Sequence, residues 1–134
     1  MVDFWWVVGS NPVRGSADIE AALSGVRSRL RELGLAELTE FQERLVEHLD
    51  VINRGDLAAI PVELSSGQVF EQTEDHFLYA RCACVLSGEQ SVRAVLDDEL
   101  SFAQFVTPRL QSAEMLLHEA RTEYESRTGQ RMSG

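Results

Sequence analysis

The chain has 134 residues, of which 44% are hydrophobic and 25% charged, the length and composition of one globular domain rather than of a collagen-like, repetitive or wholly disordered polypeptide. A folded monomer of this size exposes roughly 7,000 Å² where its extended chain exposes about three times as much, so a core can form without disulfide or metal staples. Twenty-two acidic residues against twelve basic ones leave a formal charge of -10, a field that repels polyanions and speaks against nucleic acid or an anionic membrane as ligand.

The first apolar segment, Phe4-Trp5-Trp6-Val7-Val8, carries strand-favouring side chains behind a helix-capping Asp3. No other segment alternates with period two to give it a strand partner, so it reads as a short helix. No cationic stretch leads it and no run reaches 18 apolar residues; neither a secretory leader nor a membrane span is expected, and a cytoplasmic location follows. Over residues 16–33, Ile19, Ala22, Leu23, Val26, Leu30 and Leu33 recur at helical spacing, and Gly34 then supplies a residue able to take positive φ at a helix end. A second stripe, Leu38, Phe41, Leu45, Leu49 and Ile52, runs up to Arg54-Gly55. The short connection predicts two antiparallel neighbours, each covering the other's stripe.

Asp56 caps a brief helix over 57–64 that Pro61 kinks or shortens, and Ser65-Ser66-Gly67 is a loop. Thr73 opens a helix through Leu86 that is apolar on every side except at Arg81, which places residues 74–87 at the centre of the domain, and Gly88 stops it. A short helix over 89–96 and a turn or two over 98–105 follow. Thr107-Pro108 starts the last helix, striped by Leu110, Ala113, Leu117, Ala120 and Tyr124 up to Gly129. The reading is therefore all-α: one compact domain over 1–129, of six to eight mostly short helices around a buried central one, with 130–134 a frayed tail.

Several pieces, in order along the chain, resemble the bacterial family of domains of unknown function catalogued as 4240, which is sometimes found beside WGR domains. They are Asp3-x-Trp5 with Phe4, Asp56-Leu57-x-Ala59, Thr73-Glu74-Asp75-x-Phe77 leading to Arg81, the helix stop Gly88, and Glu123-Tyr124-Glu125-x-x-Thr128-Gly129. Ala80 and Ala83 stand where that family carries aromatics, and residues 65–72 replace its Gly-rich link. The resemblance implies a multi-helical domain and no particular activity.

Among candidate site residues, Arg81 stands out because a guanidinium on an apolar helix requires a partner when buried. Glu74, Asp75 and the Asp97-Asp98-Glu99 run are the nearest carboxylates in sequence, and a structural bridge outweighs an anion-binding site. Arg81→Ala is accordingly expected to destabilise the fold more than Arg31→Ala. Glu74 and Asp75 also suit the positive end of their own helix. Glu114 and His118 have metal-ligand spacing for an α-helix, but no second histidine follows; His48, beside Glu43 and Glu47, and His76 lie on other helices, so a solvated helix face is the stronger reading and no metal is expected. Asp97-Asp98-Glu99 reads as a cap and a solvated turn. Cys82 and Cys84 read as small core packers, and no Gly-x-Ser-x-Gly turn or phosphate-cradling loop occurs. Trp5 and Trp6 are adjacent, so a helix buries one better than the other, leaving one for a partner or an oligomer interface. The twelve cations are all Arg, which carries no functional implication at this level. Together these features favour a non-enzymatic protein-interaction or regulatory module with a basic protein partner and no cofactor. The alternative is a small-ligand or metal-dependent enzyme using Arg81, Glu74, Asp75 and a histidine.

Overall fold

A computed structural model describes residues 1–132, and its helices start where the capping chemistry places them. Asp3 Oδ1 accepts the Trp6 N–H at 3.1 Å and opens α1 (Phe4–Val8), which turns Phe4, Val7 and Val8 inward. α2 (Ser16–Leu30) and α3 (Leu35–Val51) bury the two predicted stripes. Gly34, however, has φ -76° and is the N-cap of α3 rather than a left-handed stop for α2; the Glu37 side chain accepts its N–H at 3.0 Å. Nor do α2 and α3 cover each other. α2 packs mainly on α1 and the segment Pro108–Leu117, α3 packs mainly on the last helix, and that last helix also touches α2. A short loop makes two helices neighbours in sequence, but a third apolar element competes for the space between them.

α4 is a single turn, Gly55–Ala58, and the expected helix over 57–64 ends there. The residue before a proline is pushed out of the α region, and beyond Pro61 the chain becomes extended. Val62–Glu63 (β1) pairs antiparallel with Val69–Phe70 (β2), Val62 opposite Phe70 and Glu63 opposite Val69. The predicted loop Ser65-Ser66-Gly67 is the turn of this small hairpin, the one element of β structure among the described residues.

Thr73 Oγ1 accepts the His76 N–H at 3.0 Å and starts α5 (Glu74–Leu86), whose residues from Cys82 to Leu86 are all buried. α6 (Glu89–Asp97) follows after Gly88, and Glu99–Phe105 is a 3-10 segment capped by Asp98. The predicted last helix divides in two. Pro108–Leu117 is 3-10 and α7 (Glu119–Thr128) is α, ending at Gly129. The burial of Leu110, Ala113 and Leu116 gives the reason: a three-residue step lies on one line at 3.0 residues per turn, and this line packs along α5. All the buried apolar side chains join in one core, with α5 in its middle and Phe102 and Phe105 among its largest members. The accessible surface is 7545 Å², close to the roughly 7,000 Å² expected of a compact chain. Beyond α7 the Gln130 N–H donates to Thr128 Oγ1, Arg131 is exposed and Met132 packs against the core; positions 133–134 of the predicted tail lie outside the described residues.

Candidate functional site

Arg81 sits on the central helix, half-buried, and the acid expected to hold it is absent. None of Glu74, Asp75, Asp97, Asp98 and Glu99 forms an ion pair with it among the described residues. Its Nη1 instead donates to the Leu49 carbonyl at 3.2 Å, and the guanidinium lies 4.6 Å from the centre of the Phe77 ring. The correction has a simple cause. The last turn of any α-helix leaves carbonyls unpaired at the negative end of its dipole, and Leu49 is in the last turn of α3. A guanidinium from α5 meets that need without a carboxylate, and its burial pulls the Arg81 pKa down.

The same device recurs at two more helix ends. Arg29 donates through Nε to the Val7 carbonyl at 2.6 Å and through Nη2 to that of Val8 at 3.3 Å, closing α1. It fits because Gly25 has no side chain there: a Cβ would lie 2.9 Å from Nη2. Arg127, on α7, donates to the carbonyls of Leu33 (2.5 Å), Leu30 (3.0 Å) and Arg31 (3.2 Å), while its Nε reaches Glu123 at 2.7 Å. Each cap comes from a different helix than the one it closes. A guanidinium has five N–H groups in a fixed fork and can serve several carbonyls at once, which an ammonium cannot match geometrically. We expect Arg81→Ala to lower stability by about 1–3 kcal/mol, the cost of leaving a buried carbonyl unpaired, and Arg81→Lys to recover only part of it. Arg31→Ala, at an exposed position, should cost much less; equal melting midpoints for the two alanine variants would contradict the capping role.

Glu74 and Asp75 are exposed in the first turn of α5, where the helix dipole favours them, and they are not drawn to Arg81. Glu114 and His118 do not share a face. Glu114 is in the 3-10 segment and His118 terminates it with φ -111°, so a four-residue step is rotated about 120° from alignment. Asp98 caps its own segment by accepting the Leu100 N–H at 3.0 Å, as a cap-and-turn reading requires. On the surface nearby, Arg54 pairs with Asp56, holding the Asp56 carboxyl below its usual range, while Asp56 pushes that of Glu99 up. Among the described residues no group of three or more His, Cys, Asp or Glu side chains converges as metal ligands do. Cys82 and Cys84 are buried thiols raised to about 12 by desolvation, small core packers as expected.

His48 is half-buried, its ring 4.5 Å from that of Phe4 and 4.7 Å from that of Trp5. His76 has both ring nitrogens buried with no hydrogen-bond partner. Burial lowers the pKa of both. As pH falls below the ordinary 6.5, the unfolded chain therefore takes up protons before the folded one does. This contribution to stability is present above that value and is lost as pH falls through it towards the lowered folded values. Urea midpoints at pH 7.5 and 5.5 test it: the acid-induced loss should shrink in a His48→Gln/His76→Gln chain, and an equal loss in both proteins would refute the assignment.

The tryptophans divide as their adjacency demands. Trp5 packs against the core edge-on to Phe4, while Trp6 is 47% exposed. The hairpin adds a surface that the sequence reading passes over. Val69 and Phe70 are 58% and 53% exposed on β2, in strands too short to declare themselves by alternation. Arg29 and Arg127 are also missed as caps; the exclusive use of Arg and the glycine at position 25 were the available signals.

Among the described residues no helix is long and apolar enough to cross a membrane. A family model described as "Protein of unknown function (DUF4240)" matches residues 1–126. No curated protein and no solved structure matches the chain.

Proposed function

We propose that this chain, which belongs to the DUF4240 family, is a non-enzymatic protein-interaction or regulatory module whose acidic exterior receives a basic partner protein. The observation that carries the reading is Trp6. A large aromatic, 47% exposed, stands on a one-turn helix whose other side chains are anchored in the core, on a molecule of charge -10. Exposed aromatics on rigid elements are typical anchors of interfaces, and a net field of this sign steers a basic surface towards them. Arg81 is compatible with this reading, since its Nη1 serves the end of α3, although its buried Nε has no partner among the described residues.

The test is affinity capture by the immobilised full chain from its native lysate at low and high salt, with mass spectrometry, followed by titration of the purified partner against wild type and Trp6→Ala. A partner with a basic surface is expected, released as salt screens the long-range attraction within about 10 Å at 0.1 M ionic strength. Trp6→Ala should weaken it by about 2 kcal/mol or more if Trp6 is an anchor. One bound transition metal per chain by elemental analysis, lost together with a measurable turnover in His118→Ala or Glu114→Gln, would replace this reading by that of a metal-dependent enzyme.

A further inference from the structure

We infer that β2 is an open docking edge, and that an extended, Lys- or Arg-bearing segment of the partner protein adds to it as a third strand. The inference rests on the interaction-module reading and names the surface and the chemistry of its partner. In the observed register the Leu64 N–H donates to the Gln68 carbonyl at 2.8 Å, so Leu64 and Gln68 form a hydrogen-bonded pair. Antiparallel pairs alternate, which makes Val62 and Phe70 the next bonded pair and turns the Val69 N–H and C=O away from β1. The Glu71 peptide group, next along the same edge, has no backbone partner among the described residues. An unpaired edge flanked by exposed Val69 and Phe70 is a template for strand addition.

Charge selects the occupant. Residues 57–80 hold Glu63, Glu71, Glu74 and Asp75 and no Lys or Arg, while Asp56 is already paired with Arg54. Pairing β2 with a second copy would bring two Glu71 side chains and two chains of charge -10 together, which disfavours self-association through this edge. The β1 side differs: it borders a groove of about 780 Å³ lined by Glu63, the hairpin turn and Thr107, Pro108 and Arg109, where a cation is already present.

The test uses the full chain and fluorescein-labelled, end-blocked eight-residue peptides of alternating Arg and Val, of alternating Glu and Val, and of the Arg-Val sequence N-methylated at alternate residues. Fluorescence anisotropy should show saturable binding of the first peptide and at least about tenfold weaker binding of the other two, an acid facing like charges and the methylated strand lacking donors. Val69→Pro removes the outward donor without removing a ladder bond, as an edge strand tolerates, and should weaken the Arg-Val peptide about tenfold. Glu71→Arg, at an exposed position, should weaken it through charge alone. Equal binding of the three peptides, binding unchanged by both substitutions, or no binding of the Arg-Val peptide overturns the docking edge. Concentration-dependent dimerisation abolished by Val69→Pro would do so too, since the edge would then belong to a second copy. If the native partner is still captured equally by wild type and Val69→Pro, the edge is wrong while the module reading survives; if wild type binds no partner protein, the module reading itself fails.

Discussion

Gly88→Ala is expected to lower the unfolding free energy by about 3 kcal/mol, from two independent costs. Gly88 has φ 115° and ψ 174°, a region closed to residues with a side chain except at a strain of about 1–3 kcal/mol. A Cβ there would also lie 3.0 Å from the Gly9 carbonyl oxygen and 3.1 Å from the Ser10 Cα. Both are backbone atoms that cannot rotate aside, and forcing such contacts apart adds about 1–3 kcal/mol. Gly88 joins the central helix to α6 where the loop after α1 crosses it, so one methyl group would displace three elements. Gly55→Ala is the control, because a Cβ at Gly55 meets nothing within 4 Å. Thermal unfolding of the two variants should differ by several degrees; equal midpoints would show that the loop yields freely.

Arg27→Met should cost about 2–3 kcal/mol, more than loss of the more exposed ion pairs of Arg44, Arg54 and Arg93. Arg27 Nε donates to Glu119 Oε2 at 2.7 Å, and Glu119 is only 7% exposed. Removing the cation leaves a carboxylate buried without compensation, which typically costs 3–5 kcal/mol. Arg27 itself is 36% exposed, so water can partly replace it and the cost falls to the bottom of that range or just below it. Replacing both partners, Arg27→Met with Glu119→Met, should restore most of the loss, since a buried pair exchanged for apolar side chains is often neutral. Arg93→Met removes a solvent-exposed partner of Glu89 and should cost well under 1 kcal/mol. A double variant as unstable as Arg27→Met would assign the loss to packing of the arginine stem instead.

Local chemistry was legible wherever a residue acts on its own neighbours. Asp3 and Thr73 cap the helices that follow them, the spacing of Ile19 to Leu30 and of Leu38 to Leu49 sets two buried faces, and the unbroken apolar run after Arg81 marks the middle of the core. These features depend on contacts three or four residues apart, which the helical period encodes directly. The division of the last helix was half-visible: the threefold step Leu110, Ala113, Leu116 is in the sequence, but only packing along α5 makes it outweigh the α-helical alternative.

What lay beyond the sequence is everything that joins residues far apart. Arg29, Arg81 and Arg127 are chemically alike on paper, and each closes a helix 20 or more positions away: the Arg81 bond to Leu49 spans 32 residues and the Arg127 bond to Leu33 spans 94. No spacing rule reaches that far, because the acceptor is a backbone carbonyl that every residue carries. The carboxylates near Arg81 in sequence were plausible partners on charge alone, but helix ends compete for guanidinium donors, and the tertiary arrangement placed one of them nearer. The hairpin is decided in the same way, since strands of two residues are too short to carry a period and exist because Pro61 and the packing around it leave the chain extended.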